Sequence, residues 1–92
     1  ERQDKREEKV GEFRLIIIDI EETLDYIDTF KHQYTPWAAF QTRVLQDLII
    51  EKGIKISDFK RLPTSEVKEI KAILKRVDTT HRECLSLMEA SI

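Results

Sequence analysis

Residues 35–53 read TPWAAFQTRVLQDLIIEKG, and this stretch decides the fold because it carries both a start and a stop for a helix. Thr35 suits an N-cap, Pro36 falls at the first helical position, where its missing N–H costs nothing, and Gly53 can take the left-handed conformation that closes a last turn. Trp37, Phe40, Val44, Leu45 and Leu48 recur at helical spacing between these signals and are expected to form the inward face. At ~1.5 Å per residue the helix is about 26 Å long.

The apolar patterns on either side run further. Val10, Phe13, Ile17, Ile20, Leu24 and Ile27 follow in steps of three and four, with Ile16 and Phe30 widening the face. LIIIDI alone has strand character, since isoleucine suits a pleated surface, but the long helical period around it outweighs a six-residue run. After Pro63, with Thr64 or Ser65 as cap and Glu66 in the positive first turn, comes Val67, Ile70, Leu74, Val77, His81, Cys84 and Met88, widened by Ile73 and Leu87. These two helices should reach about 36 to 40 Å, so the short second helix leaves part of each uncovered. Residues 54–63, IKISDFKRLP, can supply that cover, because ten extended residues reach at most about 33 Å and Ile54, Ile56, Phe59 and Leu62 offer apolar anchors. The expected fold is therefore all-α: an antiparallel three-helix bundle with a shorter second helix followed by an extended packed segment. A partner chain lying in the gap is the rival cover.

Ninety-two residues with only two glycines and two prolines fit one small domain of long helices. The charged opening ERQDKREEK, residues 1–9, reads as an extension or a continuation of the first helix, and residues 10–92 as a single domain excised from a larger protein. The lone Cys84 forbids an internal disulfide and a cysteine-cluster metal site, and with no signal peptide it favours an intracellular setting. No apolar run is long enough to span a bilayer.

The net charge of −2 gives no general attraction for nucleic acid or anionic membrane. It is unevenly spread: residues 12–34 hold six acids against two bases, residues 54–92 eight bases against six acids. There is no glycine-rich phosphate loop, no Ser, His and Asp set and no carboxylate set with metal spacing beside His32 or His81, so neither catalytic, cofactor-binding nor metal-binding residues are expected. His81 is best read as a half-buried bundle residue, with phosphoryl acceptance a remote alternative. Trp37 with Tyr34 and Phe40 could form an aromatic pocket, but Trp37 is read chiefly as an anchor for the turn between the first two helices, with Tyr34 the one of the three expected to stay partly exposed.

Two surface features remain. At ~100° per residue, Gly11, Leu15, Ile18 and Glu22 form a ridge opposite the first helix's core stripe, with apolar groups that a core does not need. Ile50 is a weaker case of the same kind. Lys68, Lys71, Lys75 and Arg82 share a strip about 60° wide on the third helix, interrupted by Asp78 and Glu89 and suited to an acidic protein surface. The functional expectation is a non-enzymatic adaptor or scaffold module that binds another polypeptide through a helix face in coiled-coil fashion. A second copy of the chain is an alternative occupant of that face. A nucleic-acid or phosphate-binding domain using the basic strip is the runner-up, disfavoured by the acidic balance and the lack of stacking aromatics.

Overall fold

A computed structural model of the chain describes residues 2–90, with side chains from Glu7 onward. Three helices pack together: α1 (Arg2–Phe30), α2 (Thr35–Lys52) and α3 (Thr64–Ala90), with a 3-10 turn at Ile56–Phe59 between the last two. They hold 29, 18 and 27 residues, so the second is the short one. No strand occurs among the described residues, and LIIIDI lies wholly within α1. The backbone of residues 2–9 continues α1; residue 1, residues 91 and 92 and the side chains of residues 1–6 lie outside the described residues.

The stripe expected on α1 turns inward. Phe13, Ile17, Ile20, Leu24 and Ile27 are buried, the last three completely, and Val10 is half-buried at the open end. On α3, Ile70, Val77 and Cys84 are buried, and Val67, Ile73, Leu74, His81, Leu87 and Met88 are half-buried around them.

On α2 the inward face differs from the expected one. Phe40 and Val44 are 64% and 43% exposed, whereas Ala38, Ala39, Thr42 and Leu45 are buried. Small side chains let α2 lie close to its neighbours, since the spacing between packed helices is set by the side chains at the contact. Thr42 can go inside because its hydroxyl lies 3.0 and 2.9 Å from the Ala38 and Ala39 carbonyl oxygens, within its own helix. Thr35 is also corrected: the N-cap position belongs to Tyr34, and the Thr35 hydroxyl donates to the Lys31 carbonyl at 2.7 Å. The stop signal acts as read. Gly53 has φ of 64°, its N–H donates to the Ile50 carbonyl and that of Ile54 to the Ile49 carbonyl, both at 3.1 Å, which closes the helix by a Schellman arrangement.

The core divides into two clusters. One joins Ile20, Leu24 and Ile27 of α1 to Ala38, Ala39 and Leu45 of α2 and to Val77 and Cys84 of α3. The other lies past the end of α2, where Ile54 and Phe59 pack with Phe13, Ile17 and Ile70. Phe59 is fully buried, its ring centroid 6.2 Å from that of Phe13. Residues 54–63 thus meet α1 and α3, but the segment is not extended throughout. Residues 56–59 wind into a 3-10 turn, in which the Lys55 N–H donates to the Asp58 carboxylate and the Asp58 N–H to the Lys55 carbonyl. An acid at that position satisfies a donor that an extended strand without a partner strand would leave open.

Polar contacts between the helices set their register. Arg14 pairs with Glu66, Arg76 with Asp25 and Asp28, and Lys31 with Glu83, so partners rise in number together along α1 and α3. Between α2 and α3 the order reverses: Thr42 meets His81 and Gln46 meets Asp78.

Candidate interaction surface

Leu15 and Ile18 stand on the solvent side of α1, 66% and 50% exposed, and Glu22 is exposed one turn on. Gly11 is exposed too but borders a different feature. It lines a cleft of about 710 Å³ between α1 and residues 57–62, together with Arg14, Asp58, Lys60 and Arg61. Nothing lies within 4 Å of where a Cβ on Gly11 would stand, so packing inside the chain does not demand glycine there.

The corner between α1 and α2 is aromatic. Tyr26 and Phe30 meet with ring centroids 4.9 Å apart, Tyr26 meets Trp37 edge to face at 5.7 Å, and Phe30 meets Tyr34 at 6.3 Å. Each pair lies within the range where aromatic quadrupoles attract. Together the four rings line a cavity of about 480 Å³. Tyr26 and Tyr34 are more than half exposed, which leaves apolar ring surface in water. From Trp37, Phe40 and Val44 follow at i+3 and i+7, so the exposed apolar surface continues up the same flank of α2. Side-chain size alone turns Phe40 and Val44 inward, which hides this face in the sequence. The competing stripe Ala38, Thr42, Leu45, Ile49 was present at steps of four, three and four, but two of its members are small or polar.

The basic strip lies elsewhere. Lys68, Lys71, Lys75 and Arg82 are all exposed, and among the described residues no ion pair engages them. The α3 groups that reach the far end of α1 are Arg76 and Glu83, roughly 100° round the helix from the strip. The two sets of candidate residues therefore occupy separate faces and form no common site. Ile50, 77% exposed, borders a third hollow of about 560 Å³ on the α2–α3 side with Leu74 and Asp78.

The remaining titratable clusters hold helices together. Arg76 bridges Asp25, at 2.9 Å, and Asp28, while Lys31 bridges Asp28 at 3.1 Å and Glu83 at 2.6 Å. Burial pushes the Asp28 carboxyl up, but hydrogen bonds from Arg76 and Lys31 outweigh it, and the net result lies below the usual carboxylate range. The bond to Glu83 outweighs burial at Lys31 and raises its ammonium above the usual range. Burial pushes the Cys84 thiol up, which suits a packed side chain rather than a nucleophile. His81 Nδ1 sits 2.8 Å from the Thr42 hydroxyl oxygen, and His32 is exposed in the turn after α1.

Among the described residues no group of three or more His, Cys, Asp or Glu side chains is arranged to hold a metal ion, and no helix is long and apolar enough to cross a membrane. Comparison with protein-family models, curated proteins and solved structures gives no match to this chain.

Proposed function

We propose that the chain is a non-enzymatic protein–protein interaction module, an up-down-up bundle whose consecutive helices run antiparallel and which binds another polypeptide through the outer face of α1 and α2. The observation that carries this reading is the exposure of six large apolar side chains: Leu15, Ile18 and Tyr26 on α1, Tyr34 at the turn, and Phe40 and Val44 on α2. The inward positions are already filled, by Ile17, Ile20 and Leu24 on α1 and by Ala38, Thr42 and Leu45 on α2. Aromatic side chains within such a patch are the type that supplies most of the energy in a protein interface. Comparative pull-down from the cells of origin tests it, with Leu15→Glu, Ile18→Glu and Phe40→Glu combined and circular dichroism verifying helix content. Recovery of specific partners should drop for this variant and persist for Lys68→Glu with Lys71→Glu; equal recovery by all three proteins overturns the reading.

A second reading is supported by the unpaired strip of Lys68, Lys71, Lys75 and Arg82 on α3: a phosphate-rich ligand such as nucleic acid, or an acidic protein surface, held there by charge. Binding of that kind to nucleic acid weakens steeply with salt and is lost on Lys71→Glu with Lys75→Glu. An affinity for single-stranded or duplex DNA or RNA that does not change with salt removes it.

A further inference from the structure

The charge around the apolar face narrows the chemistry of what covers it. On α1, Glu12, Asp19 and Glu22 are exposed on the flank shared with Leu15 and Tyr26, and on α2 Glu51 is exposed on the flank shared with Phe40 and Val44. Among the described residues no ion pair engages any of these four acids. At ~100° per residue, no lysine or arginine falls in the same sector of either helix between residue 7 and residue 51. The surface is thus a greasy seam between α1 and the shorter α2, closed at one end by an aromatic hollow and edged with carboxylates.

We propose that its occupant is a basic amphipathic helix of a partner protein, laid along the α1–α2 seam as a fourth helix. This rests on the interaction reading given above. An apolar stripe at i, i+3, i+4 and i+7 on the partner covers Leu15, Phe40 and Val44, and one large side chain sits over the Tyr26, Phe30, Tyr34 and Trp37 hollow. Lysines and arginines beside that stripe meet Glu12, Asp19 and Glu22. The same acids repel an anionic lipid surface and disfavour a second copy placed symmetrically, because a two-fold contact sets like patch against like.

An unbiased selection from a displayed library of peptides of about twenty residues, run against the full chain and counter-selected on Leu15→Glu with Phe40→Glu, tests this. The expected enrichment is for apolar residues at helical spacing flanked by lysine or arginine. A synthetic peptide of the enriched sequence should lose roughly tenfold in affinity on Glu12→Gln, Asp19→Asn and Glu22→Gln combined, as for truncated charge pairs at an interface rim. Enrichment of acidic or proline-rich peptides, or of basic peptides without apolar spacing, overturns the proposed partner and leaves the binding face standing. Sedimentation that shows dimers lost on Leu15→Glu assigns the seam to a second copy and overturns the partner as well. Enrichment that is identical for the chain and the Leu15→Glu, Phe40→Glu variant removes the face itself, and with it the interaction reading.

Discussion

Thr42 of α2 and His81 of α3 meet at 2.8 Å between the hydroxyl oxygen and Nδ1, which ties the imidazole of one helix to the hydroxyl of the other. The Thr42 oxygen lies 3.0 and 2.9 Å from the Ala38 and Ala39 carbonyls, which can only accept; with its single proton turned to them, the hydroxyl oxygen is left to accept from Nδ1–H, the arrangement we predict. In the neutral ring the lone pair is then on Nε2. Long-range proton–nitrogen correlation spectra should show His81 as the Nδ1–H tautomer. Thr42→Val keeps the shape but removes the acceptor; it should cost about 1 kcal/mol of stability in urea unfolding and release the tautomer preference.

Arg76 ties α3 to two carboxylates of α1, and the pH dependence of folding should reveal it. Asp28 has a folded-state pKa held below its unfolded value, so its contribution is complete above about pH 3.9 and fades as pH falls through the lower folded value. Arg76→Gln removes the principal cause of that depression. The variant should be less stable by about 1 kcal/mol at pH 7, since all three side chains are partly in water. The two unfolding curves should converge only once pH has fallen through the depressed folded value, where Asp28 is protonated in both proteins. Lys31 works in the opposite sense: its raised pKa adds stability below about pH 10.4 that is lost as pH rises through the folded value.

The parts of the fold that the sequence reveals are those where a single physical rule acts alone. Gly53 ends α2 because left-handed backbone needs it, and the stripe on α1 is buried because isoleucine and leucine at helical spacing have no other outlet. The face of α2 was illegible by hydrophobicity because two requirements compete there. Close approach favours Ala38, Ala39 and Thr42, while size favours Phe40 and Val44, and the approach of α3 decides in favour of the small set. Residues 54–63 show the same limit: the apolar anchors were legible, but the 3-10 turn depends on the local bond from the Lys55 N–H to Asp58. For the candidate surface, Leu15, Ile18 and Glu22 were visible on the wheel, whereas the aromatic corner depends on how α1 and α2 meet.

That competition on α2 can be tested directly. Phe40→Ser, at a position 64% exposed, should change stability by no more than about 0.5 kcal/mol. Leu45→Ala, at a position 6% exposed in the main cluster, should cost about 2 to 3 kcal/mol. Thermal unfolding of the pair ranks them; if Phe40→Ser proves the more damaging, α2 is rotated about its axis relative to this description.

Cys84 reports on opening of the bundle. Its side chain is fully buried within the main cluster, and burial raises its thiol pKa, so both access and thiolate supply are denied in the folded state. Disulfide-exchange reagents attack thiolate, hence modification at pH 8 should proceed only through molecules that have opened. The labelling rate should be at least about a hundredfold below that of the chain in 6 M guanidinium, as expected where opening costs several kcal/mol. It should accelerate in Leu45→Ala, which weakens the cluster that covers the sulfur, and remain unchanged in Phe40→Ser, which does not. Labelling that is fast and indifferent to both substitutions would mean that α3 exposes Cys84 without unfolding, and that the packing of α3 against Leu24 and Ile27 is not what shields it.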